Sequence, residues 1–136
     1  RLKSHHYMNN LVAKRHLFNQ EAEGLFLTKE GFICEGLTSN IFWRYGNQWY
    51  TPPLETGALN GITRQFIMEQ VPVEERLALL PQLIEADEIL CTNSIQEVVA
   101  VSSLDGRTFP GLTGQGYQSI RTLFDQAVQT KWSRRE

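Results

Sequence analysis

NIFWRYGNQWYTPPLETGALNGITRQFIMEQ, residues 40–70, changes its structural period part-way along. Asn40 to Tyr45 and Gln48 to Thr51 are rich in aromatic side chains and flank Gly46-Asn47, so they read as two strands joined by a tight turn. Pro52-Pro53 interrupts the sheet pattern. After a loop through Gly57, the run from Ile62 to about Gln70 sets Ile62, Phe66, Ile67 and Val71 on one face of a helix, which Pro72 stops. Strand, turn, strand and helix in one stretch specify a mixed α/β fold whose sheet is covered by helices.

Working outward, Ser4 to about Ala22 carries Tyr7, Leu11, Val12, Lys14, Arg15, Leu17 and Phe18 without glycine or proline, with apolar members roughly three and four apart. This predicts an amphipathic helix ended by Gly24. Leu25 to Thr28 and Phe32 to Glu35, around a Lys29-Glu30-Gly31 turn, form an expected hairpin. Downstream, strands are expected at Val73 to Arg76, Glu88 to Thr92 and Glu97 to Ser102, with Asp105-Gly106 as a turn. A short helix is expected at Leu80 to Ala86, and a closing helix from about Gln115 to Lys131 with Tyr117, Ile120, Leu123, Phe124 and Val128 in a stripe. No repeat or linker divides the chain, so residues 1–136 read as a single domain.

Composition narrows the function classes. With 136 residues, 41% hydrophobic and 21% charged, the chain can bury a core of its own. A formal charge of -2 without a basic block argues against nucleic acid as a partner. No apolar run approaches the roughly 20 residues of a membrane helix, and Arg1 to His6 is polar rather than a signal sequence. Cys34 and Cys91 read as two reduced thiols of a cytoplasmic protein. His5 and His6 point apart on a helix and His16 is distant, so no metal site is expected. The chain lacks an initiator methionine and carries a candidate reactive lysine at position 3, from which a missing N-terminal portion is expected.

The chemistry is carried by segments far apart in sequence. In Gly57-Ala58-Leu59-Asn60-Gly61-Ile62-Thr63-Arg64, Gly61 permits a close approach while the amides of Ile62 and Thr63 open a helix, which makes an anion seat. The plainer alternative is a loop glycine followed by Thr63 as a helix cap, with Arg64 structural or at the surface. Glu35 follows Phe32-Ile33-Cys34, where a carboxylate in apolar company calls for a cationic partner such as a protonated ring nitrogen; the plainer alternatives are a salt bridge to an arginine or exposure at a strand end. Ser94 follows an expected strand within Thr92-Asn93-Ser94 and adds a hydroxyl for an anion, or simply a turn. Lys3 offers an amine that can hold an aldehyde as a Schiff base, although most lysines are solvated. Lysine, glutamate and a phosphate seat are together what pyridoxal phosphate needs. Trp43, Trp49 and Trp132 read as sheet or interface packing.

Lys3-Ser4, Tyr7-Met8-Asn9-Asn10-Leu11, Glu35-Gly36-Leu37-Thr38-Ser39-Asn40-Ile41-Phe42, Tyr50-Thr51-Pro52, Leu59-Asn60-Gly61-Ile62-Thr63-Arg64, Ala86-Asp87-Glu88 and Thr92-Asn93-Ser94 together resemble the class IV pyridoxal-phosphate enzymes. That family includes branched-chain and D-amino-acid aminotransferases and 4-amino-4-deoxychorismate lyase. The resemblance implies pyridoxal 5'-phosphate as cofactor and Lys3 as both the lysine that carries it and the proton-transfer group. It further implies Glu35 on the pyridine nitrogen, Leu59 against the ring, and Ile62, Thr63 and Ser94 on the phosphate. In fold it implies the larger C-terminal domain of fold-type IV enzymes, a barrel-like mixed sheet with flanking helices, in a homodimer acting on a small-molecule substrate. The family's small N-terminal domain and its phosphate arginine have no counterpart in this chain. Asn40-Ile41-Phe42-Trp43-Arg44, Thr51-Pro52-Pro53-Leu54-Glu55-Thr56-Gly57 and Asn60-Gly61-Ile62-Thr63-Arg64-Gln65-Phe66 look most like the lyase. A transaminase, or a non-catalytic domain on the same scaffold, are the alternatives.

Overall fold

The hairpin read from residues 40–51 lies within a larger sheet. The computed structural model describes residues 8–15, 19–27, 33–36, 39–53, 62–93 and 98–135. Among them the strands are β1 (Met8–Arg15), β2 (Asn19–Leu27), β3 (Ile33–Gly36), β4 (Ser39–Tyr45), β5 (Gln48–Thr51), β6 (Val73–Glu75), β7 (Glu88–Asn93), β8 (Val98–Leu104) and β9 (Arg107–Thr108). The helices are α1 (Ile62–Gln70), α2 (Leu80–Ile84) and α3 (Gln115–Arg135). One sheet runs β3-β2-β1-β8-β7-β4-β5-β6, with β9 on β8. Gly46 turns β4 into β5 at φ +58, a left-handed conformation that glycine adopts without steric cost. β5 and β6 pair in parallel, because the chain passes through α1 before it returns.

Alternation along the central strands feeds two cores. Ile41 and Trp43 of β4, Ile89 and Cys91 of β7, and Val99 and Val101 of β8 join Leu83, Ala86 and Phe109 on one face. Phe42, Leu90, Val98, Ala100 and Trp49 point to the other, under Ile67 of α1 and Tyr117 and Ile120 of α3. Strands covered on both faces read as continuous apolar runs, as Ile41 to Trp43 and Val98 to Val101 do. Phe42 and Trp43 are fully buried, and each contributes about 1.5–3 kcal/mol. Phe66 and Phe124 meet edge to face at 5.5 Å and fasten α1 to α3.

The helix expected at Ser4 to Ala22 is a correction. Met8–Arg15 is strand β1, and Asn19 onward belongs to β2, with Gly24 inside that strand opposite Asn10 rather than ending a helix. β1 pairs with β2 on one side and β8 on the other, and its register against β8 shifts between Val12 and Ala13. The extra residue at that shift, Ser102, lies on β8, and β1 keeps an unbroken register with β2; its Leu11, Val12 and Ala13 are consecutive apolar residues and so carry no period-two mark of a strand. Two neighbouring ladders then outweigh local propensity. The other expected strands and helices are present close to their anticipated limits, except that β2 begins at Asn19 rather than Leu25; the expected Lys29-Glu30-Gly31 turn and the loop through Gly57 lie outside the described residues. β9 and a 3-10 turn at Gly111–Thr113 were not anticipated.

Candidate active site

The first turn of α1 is held at one end of the sheet. Ser39 pairs with Asn93 and Thr51 with Glu75, which gathers the start of β4 and the ends of β5, β6 and β7 on that side. Arg64 Nη2 donates to the Pro52 carbonyl at 3.2 Å and to Glu75 Oε2 at 2.9 Å, seating the helix start over the β5 and β6 ends. Thr51 Oγ1 donates to the Ile41 carbonyl at 2.8 Å. Asn40, Thr51, Thr63, Arg64 and Thr92 are all buried here, a polar margin to an otherwise apolar core. Arg64, expected to be structural or at the surface, is structural and buried.

Within that margin Thr63 stands out. Its side chain is 3% exposed. Its Oγ1 is shut from solvent and has no hydrogen-bond partner among the described residues. A buried hydroxyl without a partner is costly, and on the first turn of a helix it lies where amides and the helix dipole favour an anion. A phosphate there would satisfy it. Ile62 is the first residue of α1, and Ser94 directly follows the last residue of β7.

Glu35 lies on β3 opposite Phe26, which itself lies opposite Met8. One cross-strand row therefore links Glu35 to the start of β1, the strand entered from Lys3. Lys3, Leu59 and Ser94 lie outside the described residues. The structure thus places the backbones of Glu35 and Ile62 and the side chain of Thr63. Trp43 and Trp49 are buried in the sheet cores as expected, and Trp132 lies on α3.

Sequence reasoning missed Glu88. Its side chain is 1% exposed and pairs with Arg44, at 3.0 Å to Nη2. It also accepts the amides of Gly116 at 2.9 Å and Tyr117 at 2.6 Å, at the start of α3. Neighbouring Asp87 accepts the Gly46 amide at 2.7 Å. Ala86-Asp87-Glu88 thus anchors a turn and a helix to the sheet. The available signal was a carboxylate opening a buried strand, together with Gly114 and Gly116, where a Cβ would strike Glu88.

The amino-transferase class IV family matches residues 1–104. The chain belongs to that family. It is 38% identical over 135 residues to the aminodeoxychorismate lyase of Bacillus subtilis (strain 168), covering 95% of this chain and 46% of that protein. It is 29% identical over 133 residues to the D-alanine aminotransferase of Bacillus licheniformis, covering 93% and 47%. The branched-chain amino acid aminotransferase of Thermobaculum terrenum in its PLP form superimposes with a TM-score of 0.72 at 26% identity, over 78% of this chain and 37% of that one. The chain spans about half the length of the curated relatives it matches. The fold is the mixed α/β fold of fold-type IV enzymes, and the cofactor of the class is pyridoxal 5'-phosphate. The unpartnered Thr63 hydroxyl on the first turn of α1 fits its phosphate. Among the described residues no helix is long and apolar enough to cross a membrane.

Proposed function

We propose that this chain is the cofactor-binding part of a 4-amino-4-deoxychorismate lyase, which releases pyruvate and forms 4-aminobenzoate for folate synthesis. The observation that carries the reading is the higher identity to the lyase than to the D-alanine transaminase over almost the same span. Residues 1–136 serve as the larger C-terminal domain, completed by a small N-terminal domain in a cytoplasmic homodimer.

Lys3 holds the cofactor aldehyde, Glu35 keeps its ring nitrogen protonated, Leu59 packs on the ring, and the Ile62 and Thr63 amides with the Thr63 and Ser94 hydroxyls hold the phosphate. When bound, the cofactor supplies an electron sink for a carbanion. The Lys3 amine takes the proton from the ring carbon that bears the substrate's amine, next to the carbon that bears the enolpyruvyl oxygen. The bond from the ring to the enolpyruvyl oxygen breaks, that fragment gains a proton and leaves as pyruvate, and the ring becomes aromatic. Because aromatisation drives the elimination, the side chains have only to orient the substrate and time two proton transfers.

The assay is release of pyruvate and 4-aminobenzoate by the full-length protein. Lys3→Ala should lower turnover by about 10²–10⁴-fold or more, and near-normal activity in that variant removes Lys3 from the mechanism. Exchange of an amino group between a D- or branched-chain amino acid and a 2-oxo acid, without 4-aminobenzoate, would assign the protein to the transaminases instead.

A further inference from the structure

Arg64 carries its charge where charge is expensive. Its side chain is 4% exposed while that of its partner Glu75 is 44% exposed, so the guanidinium is desolvated and the carboxylate is not. An apolar side chain of similar volume would serve stability as well or better. The guanidinium instead ties three pieces of chain together: the first turn of α1, the Pro52 carbonyl just after β5, and Glu75 at the end of β6. Arg64 directly follows Thr63, so the same bonds fix the turn that presents the unpartnered hydroxyl.

We infer that Arg64 is a positioning residue for the cofactor phosphate, and that its clasp on Pro52 and Glu75 holds the Ile62 and Thr63 amides and the Thr63 hydroxyl in binding geometry. This rests on the reading of the α1 start as the phosphate seat. Arg64 need not touch the phosphate. A preorganised seat binds more tightly because less ordering remains to be done on binding. The planar guanidinium reaches two acceptors from one side chain, which a lysine ammonium on a flexible stem does less rigidly.

The test compares pyridoxal 5'-phosphate with pyridoxal, which lacks the phosphate, titrated into the full-length apo-protein and followed by absorbance. Glu75→Gln and Arg64→Lys should each weaken pyridoxal 5'-phosphate binding about tenfold, the loss of one charge-assisted hydrogen bond, and leave pyridoxal affinity within about twofold of wild type. Unchanged affinity for both ligands, or an equal loss for both, overturns the inference, since a general structural role does not distinguish them. Thr63→Ala separates the premise from the inference. Wild-type cofactor affinity in Thr63→Ala removes the seat and the inference with it, whereas a loss there without one in Glu75→Gln removes the positioning role alone. If Arg64→Lys does not fold, Glu75→Gln decides, because Glu75 is half exposed.

Discussion

Glu88→Gln should cost about 2–4 kcal/mol of folding stability, although it keeps the shape of the side chain. Oε1 accepts from Arg44 Nε at 3.2 Å, Arg44 Nη2 at 3.0 Å and the Gly116 amide at 2.9 Å, while Oε2 accepts the Tyr117 amide at 2.6 Å. A glutamine can put its carbonyl on the busier side and keep three of these bonds, but its NH₂ then faces the Tyr117 N–H, donor against donor. One charge-assisted bond is lost, about 1.5–3 kcal/mol. The start of α3 loses its anion, about 0.3–1 kcal/mol more. Half-buried Arg44 keeps the Gly46 carbonyl at 2.6 Å but loses its counter-charge. For a chain of this size the total lowers Tm by roughly 8–15 °C. The assay is urea denaturation followed by far-UV circular dichroism and tryptophan fluorescence, which reports locally because Arg44 lies over the Trp49 ring at 5.9 Å. In a double-mutant cycle with Arg44→Met, the coupling should exceed about 1 kcal/mol. A Glu88→Gln midpoint equivalent to less than about 0.5 kcal/mol from wild type would refute the claim that this carboxylate anchors α3.

Gly116→Ala should destabilise by about 2–3 kcal/mol, because its Cβ would lie 2.4 Å from Trp49 Cζ2 and 2.5 Å from Glu88 Oε1. Gly46→Ala, which has open space but a φ of +58, should cost only about 1 kcal/mol in the same denaturation series. Burial first, and then the Glu85 carboxylate, raise the Tyr45 pKa above 10.0. Its contribution is therefore intact below pH 10 and lost as the pH climbs through the higher folded value, where the unfolded chain releases the proton more readily. Denaturant midpoints measured across that alkaline range should fall in wild type and stay flatter in Tyr45→Phe.

How much of this was legible depended on what marks an element in its own sequence. β4, β5 and α1 carry their punctuation with them: Gly46-Asn47 between the strands, Pro52-Pro53 after them and Pro72 beyond the helix. β1 does not. Its identity comes from β2 and β8 on either side, and its consecutive Leu11, Val12 and Ala13 leave no local alternation to mark it. The start of α1 at Ile62-Thr63 was legible because a glycine before an apolar helical stripe is a local pattern. The roles of Arg64 and Glu88 were not, since their partners lie 11 to 12 and 28 to 44 residues away in sequence.

The two helices on the second core separate anchor from site. α1 and α3 share one face of the sheet, joined through Phe66 and Phe124. They begin at opposite ends of β7, which at about 3.3 Å per residue spans roughly 17 Å. At the Glu88 end, the first-turn amides of α3 are taken up by a carboxylate of the chain itself, which is already paired with Arg44. That end offers a ligand no unmet need. At the Asn93 end, the first turn of α1 is clasped from behind by Arg64 and Glu75, and its buried Thr63 hydroxyl has no partner among the described residues. A fold needing only to cap two helices could have closed both ends alike. The asymmetry gives the α1 end the electrostatics of an anion seat, and Ser94 leaves β7 at that same end.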